Sequence, residues 1–190
     1  LGGSPLHEGP GRSDRPVETD RPQVGRATEL EILSSRWREA RQGHGLAVLV
    51  RGPAGSGKSR LVRELLATAS PDGAAVLLGK AAADTAVPLA ALRAAVEQYL
   101  TDLLVRDRRH RDDTIARLRR ETGSAAGLLA ALSPQAAKML EADGPAPDDR
   151  PEQFATAVAV FLAAIARIEG GAVLVLDDVH LLGAEDLGRL

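Results

Sequence analysis

Apolar positions along the chain fall into two alternating rhythms. Leu30, Leu33, Trp37 and Ala40 recur at helical intervals, with Thr28 and Glu31 at capping-box spacing before them. Gly43-His-Gly45 then breaks the pattern, and Leu46-Ala-Val-Leu-Val50 forms an unbroken apolar run. Such a run predicts a strand covered on both faces, as in a parallel sheet. Leu61, Val62, Leu65 and Leu66 predict a helix from about Lys58 to Ala69, and Ala74 to Leu78 predicts a second short strand.

The middle of the chain reads as helical. Pro88 suits a first helical position, followed by Leu89, Leu92, Val96, Leu100 and Leu103. Shorter helices are predicted over 112–121, 124–132 and 134–142, separated by Gly123 and Ser133-Pro134, with a loop at 143–147. Asp149 and Pro151 open another helix, whose apolar face carries Phe154, Val158, Phe161, Leu162 and Ile165. Ala172-Val-Leu-Val-Leu176 is the third predicted strand and runs into Asp177-Asp178. Strands alternating with helices predict an α/β fold, a parallel sheet layered between helices.

Composition narrows the chemistry. The 190 residues carry a formal net charge of −2, so the chain as a whole offers no electrostatic attraction for nucleic acid or an anionic membrane. Trp37, Tyr99, Phe154 and Phe161 are the aromatic residues, too few for a base-stacking platform. The absence of cysteine excludes disulfides and thiolate chemistry, and His7, His44, His110 and His180 are too scattered for a zinc site. No apolar run reaches the ~20 residues of a membrane span and no signal-peptide core is present, which makes the cytoplasm the expected location. Residues 1–23 hold Pro5, Pro10, Pro16 and Pro22 among Gly, Ser and charges, and read as a flexible segment ahead of a domain over 24–190. The start at Leu1 and the uncapped helical pattern at Glu185–Leu190 lead us to expect a piece of a longer protein.

One motif carries the strongest chemical signal. Gly52-Pro53-Ala54-Gly55-Ser56-Gly57-Lys58-Ser59 fits G-x-x-x-x-G-K-[S/T] between a predicted strand and a predicted helix. Glycines let successive backbone N–H groups point inward at phosphate oxygens, and the following helix adds free N–H groups and its dipole. Lys58 supplies a positive charge to the β and γ phosphates, the Ser59 hydroxyl is a Mg²⁺ ligand, and Arg60 follows within reach of a nucleotide. Lysine is otherwise scarce: Lys58, Lys80 and Lys138 stand against 21 arginines. Lys80 reads as an exposed cation. At the third strand's end, Asp177 is the candidate Mg²⁺ ligand and Asp178 the candidate for orienting the water that attacks the γ phosphate. The arginines between Arg106 and Arg120 are interleaved with acids and read as a solvated face.

Three blocks in order, Val24-Gly25-Arg26 with its helix through Trp37, Gly52 to Leu66, and Val173 to His180, resemble the AAA-type ATP-binding domain of STAND-class P-loop NTPases. Large LuxR-type regulators are examples of the class. The resemblance implies a three-layer sandwich truncated after the acidic (Walker B) strand. It places Val24, Gly25 and Arg26 against the base and ribose, and ATP and Mg²⁺ at the loop. In such ATPases a fourth strand lies between the phosphate-loop strand and the acidic strand, and a fifth flanks the first; both would follow Leu190. Two positions depart from the family, Ala27 in place of an acid and Leu181-Leu-Gly183 in place of Trp-Ala-Asp. The implied function is ATP binding with slow Mg²⁺-dependent hydrolysis, as the switch of a larger signalling or transcription-regulatory protein. The alternatives are a non-hydrolysing assembly module and a small-molecule kinase. Expected partners are the nucleotide, the remainder of a longer chain and a homo-oligomer, with no membrane and no direct nucleic-acid contact.

Overall fold

A computed structural model describes residues 25–70, 73–81, 89–142 and 151–181. The first helical pattern closes into α1 (Ala27–Ala40), which buries Leu33 and Trp37. Its entry differs from the expected capping box. Arg26 is the N-cap and no side chain caps the helix, so Thr28 already lies inside the first turn, where its hydroxyl cannot play the half-in capping role.

Helix α2 (Lys58–Ala69) and strand β1 (Ala75–Lys80) follow. Helix α3 (Ala90–Val105) begins after Leu89, and the expected start at Pro88 lies outside the described residues. Helix α4 (Arg108–Thr122) starts earlier than its apolar pattern predicts. The cause is Asp107, whose Oδ1 accepts the amides of Arg109 at 3.0 Å and His110 at 3.2 Å. Gly123–Ala131 forms a 3₁₀ stretch in place of the predicted α-helix. Helix α5 (Pro134–Met139) stops short of 142; Ser133 caps it by accepting the Ala136 amide at 3.2 Å, with Pro134 in the first turn. Helix α6 (Pro151–Ile168) and strand β2 (Ala172–Asp177) match their patterns, and a single 3₁₀ turn, Val179–Leu181, follows. The 143–147 loop lies outside the described residues.

β1 and β2 pair in parallel from Ala75↔Ala172 to Lys80↔Asp177. A parallel pair needs a long crossover, here supplied by α3 to α6. The core forms around α3: Leu92, Val96, Tyr99, Leu100 and Leu103 pack with Leu77 of β1, Leu118 of α4, Leu129, Leu132, and Phe161 and Ile165 of α6. Each large apolar side chain buried there contributes about 1.5–3 kcal/mol. Gly79 lets β1 lie hard against α3, because a Cβ at that position would overlap the Ala91 carbonyl.

The predicted strand over Leu46–Val50 is not formed. Leu46, Val48 and Leu49 are 44%, 51% and 61% exposed, and among the described residues the sheet contains β1 and β2 alone. Apolar character favours a strand only where a neighbouring strand supplies ladder hydrogen bonds. The described architecture is thus mixed helix and strand with a small parallel sheet. Among the described residues no helix is long and apolar enough to cross a membrane.

Candidate functional site

Residues 52–59 form the turn that leads into α2. Gly55 has φ +74 and Gly57, the N-cap of α2, has φ +83, both in the left-handed region that glycine enters without strain. The Ser56 amide donates to the Pro53 carbonyl at 3.2 Å, closing the turn. The Leu61 amide donates to the Gly57 carbonyl at 3.0 Å, the first hydrogen bond of α2. The amides before it have no partner within the helix, and they open it without an acidic side chain in the first turn. Positive partial charge at this end is therefore left available to an anion.

Lys58 folds back over the loop. Its Nζ donates to the carbonyls of Gly52 at 3.0 Å and Pro53 at 3.1 Å, on the exposed side of the turn. Ser56 Oγ is buried with no hydrogen-bond partner. Burying a hydroxyl unpaired is unfavourable, and a polar ligand in the loop would satisfy it. Gly52 fits closely above: a Cβ there would stand 2.6 Å from Ser56 Oγ. Ser59 is exposed at the first turn of α2. Arg60 runs along the helix, its Nε donating to Glu64 Oε1 at 3.0 Å.

The second cluster lies at the end of the sheet. Asp177 closes β2 opposite Lys80 of β1. Its Oδ1 accepts the Asp178 amide at 2.9 Å. Asp178 has φ +55, unusual for a residue with a side chain, and its Oδ2 lies 3.4 Å from Lys80 Nζ. Lys80 is the exposed cation that the sequence leads one to expect, and it also faces an acid. The Lys80–Asp177 register pairing places it there, and no local sequence signal announces it.

Helix α2 touches β2, which puts the loop's helix and the acidic strand in the same part of the fold. Among the described residues no hydrogen bond or ion pair joins 52–59 to Asp177 or Asp178. Of the expected base-binding block, Val24 lies outside the described residues. Gly25 has φ +97, and the Arg26 carbonyl accepts the Leu30 amide at 3.1 Å at the start of α1. The side chain of His180 is likewise outside what is described. An open groove of about 500 Å³ between the 3₁₀ stretch and α6, lined by residues such as Ser124, Leu128, Glu152 and Thr156, involves none of these residues.

The arrangement offers helix amides without intrahelical partners and an ammonium folded onto the turn carbonyls, and at the sheet end two adjacent carboxylates held in different orientations. No curated protein and no solved structure matches the chain. A family model described as the AAA ATPase domain matches residues 22–190, a span that includes both the phosphate loop and the acidic strand end, and the chain belongs to that family.

Proposed function

We propose that the chain binds Mg-ATP through Gly52 to Ser59 and hydrolyses it slowly, as the nucleotide-dependent switch of a larger signalling or transcription-regulatory protein. The observation that carries the reading is the loop itself: left-handed Gly55 and Gly57, an ammonium folded onto the loop carbonyls, and a buried Ser56 hydroxyl without a partner. An ATP polyphosphate would supply the partner that the Ser56 hydroxyl lacks and a counter-charge for the Lys58 ammonium. Lys58 would exchange its carbonyl contacts for the β and γ phosphates, and the α2 amides would neutralise charge that develops on them.

The donor set also suits Mg²⁺. This cation takes one or two protein oxygens and keeps water and phosphate oxygens for the rest, so it needs no cage of carboxylates. Ser59 and Asp177 are the residues that would hold it. When bound, it would neutralise phosphate charge and fix the phosphate chain. Asp178 orients the attacking water and accepts its proton. Arg60, Gly25 and Arg26, with Val24, complete the nucleotide contacts in this reading, the last three at the base and ribose. The domain would span 24–190, following the segment 1–23.

Titration calorimetry of Mg-ATP into the chain and into Lys58→Ala tests the site. Saturable binding that is lost in the variant, with an unchanged circular dichroism spectrum, is the expected result. Equal binding by both folded proteins would remove the assignment. One observation favours a switch with negligible turnover: the Asp178 carboxylate is already engaged by Lys80. An Asp178→Asn protein separates the two readings, because only a hydrolytic switch predicts a large loss of phosphate release with binding retained.

A further inference from the structure

The turn after α6 carries a carboxylate whose two oxygens are unequally supplied. Glu169 Oε1 accepts the Tyr99 hydroxyl at 2.7 Å and Arg106 Nη1 at 2.8 Å. Among the described residues Oε2 takes a hydrogen bond from Arg106 Nη1 alone, at 2.9 Å, while His110 Nε2 stands 3.8 Å away. The same Nη1 atom lies 3.0 Å from His110 Nε2. A terminal guanidinium nitrogen carries two hydrogens and can only donate, so here two hydrogens are shared among three acceptors. In that contact Nε2 is the acceptor, which requires a neutral ring with its proton on Nδ1.

These groups surround a two-residue corner. Tyr99 lies on α3, Arg106 and Asp107 link α3 to α4, and His110 lies in the first turn of α4. The Glu169 side chain is buried, whereas those of Arg106 and His110 are 34% and 49% exposed and have room to turn. The Arg106 guanidinium also lies over the Tyr99 ring, 5.8 Å from its centre. On its own helix His110 is flanked by Arg109 and Arg111, with Asp113 one turn on, and the Asp107 Oδ1 accepts its amide. Helix α4 meets the charges of α6 at its far end, where Arg167 pairs with Glu121.

We infer that His110 is a proton-operated partner switch at the α3–α4 corner: the neutral ring accepts from Arg106, and the protonated ring leaves Arg106 and donates Nε2–H to Glu169 Oε2. A proton taken from solvent onto Nε2 removes the acceptor and sets a second cation beside the guanidinium. The nearby relief is Oε2, the carboxylate oxygen with the fewer donors, and a charge-assisted hydrogen bond forms there. Arg106 Nη1 is then left with two hydrogens for two oxygens. Histidine is the side chain whose charge ordinarily changes between about pH 5 and about pH 8, so one proton selects between two hydrogen-bonded arrangements of the corner. The switch is independent of the nucleotide reading.

Nitrogen-15 imidazole spectra of the chain from about pH 5 to about pH 8.5 test it, with His110→Gln as the control, both checked by circular dichroism. At the alkaline end the His110 ring should carry its proton on Nδ1. At the acid end both nitrogens should be protonated, and the Nε2 proton should exchange with water roughly tenfold or more slowly than in free histidine, the effect of one charge-assisted hydrogen bond. The Glu169 carboxyl-carbon resonance should move at the same midpoint as the ring, and should stay flat over that range in His110→Gln. A neutral ring protonated on Nε2 overturns the first arrangement, and an Nε2 proton that exchanges as fast as in free histidine overturns the second. Both ring readouts use the parent chain alone, so they stand even if the variant fails to fold. A Glu169 resonance that ignores the ring's midpoint, or that titrates alike in both proteins, overturns the coupling between them.

Discussion

Tyr99 Oη donates to Glu169 Oε1 at 2.7 Å across 70 positions of sequence, joining α3 to the turn that delivers the chain into β2. Arg106 adds Nη1 contacts to both carboxylate oxygens at 2.8 and 2.9 Å, and the Glu169 side chain is only 5% exposed. Burying a carboxylate is costly unless its oxygens are hydrogen-bonded, and these contacts supply the donors. Its neighbour responds: burial first, then the hydrogen bond and charge of Glu169, push the Tyr99 hydroxyl far above its ordinary value of 10.0, against a smaller opposing effect of Arg106.

The sign of the resulting pH dependence follows from linkage. The folded chain holds the Tyr99 proton more tightly than the unfolded chain does, so this contribution is complete below the unfolded value and declines as pH rises above it. Urea midpoints should therefore fall between about pH 9 and about pH 11, and the fall should be shallower in Tyr99→Phe. Equal slopes in the two proteins would assign the alkaline loss to other groups. At neutral pH the same variant should cost about 1–2 kcal/mol, because Glu169 loses a donor.

Gly79→Ala should be among the most damaging single-methyl changes in the sheet. The added carbon meets the backbone of α3 at the Ala91 carbonyl rather than a side chain that could rotate away. A loss of about 1–3 kcal/mol is expected, read as a fall in thermal midpoint of roughly 2–4 °C per kcal/mol for a chain of this size. A midpoint within error of the parent would show that α3 can slide along β1.

At the phosphate loop, Lys58→Ala should weaken Mg-ATP binding by roughly 10- to 100-fold, the value of one or two charge-assisted hydrogen bonds. Its thermal midpoint without nucleotide should stay close to the parent's, since Lys58 contacts two loop carbonyls and nothing in the core. A large loss of stability would instead make the lysine a structural clasp of the turn.

Hydrogen exchange should separate the two kinds of apolar run. Amides within β1 and β2 that take part in the parallel ladder should be protected, whereas those of Leu46 to Val50 should exchange orders of magnitude faster. Equal protection would mean that 46–50 finds a ladder partner in solution.

Much of the helical architecture was legible because it depends on local spacing. Lys58–Ala69 and Pro151–Ile168 were readable from apolar repeats, and Ser133-Pro134 marked a helix start through a hydroxyl cap and a preset φ. The turn at 52–59 was legible for a related reason: its motif lies within eight consecutive residues, and Gly57 adopts the left-handed conformation such a turn requires. Reading α4 from apolar spacing alone missed its first turn, although Asp107 was a visible capping signal.

Tertiary structure decided what needed a partner. Leu46–Val50 has a strand's composition, yet a ladder is a relation between two segments and no single run can specify its neighbour. The same limit hid Lys80 from Asp178 and Tyr99 from Glu169, since neither pair leaves a trace in local periodicity. The sequence determined most of the helical segments and the eight residues of the glycine-rich turn into α2, because backbone sterics and local hydrogen bonds act over a few residues. Only the packing of α3 on β1 and the register of β1 with β2 decided which distant charges meet, because burial and strand pairing act through space.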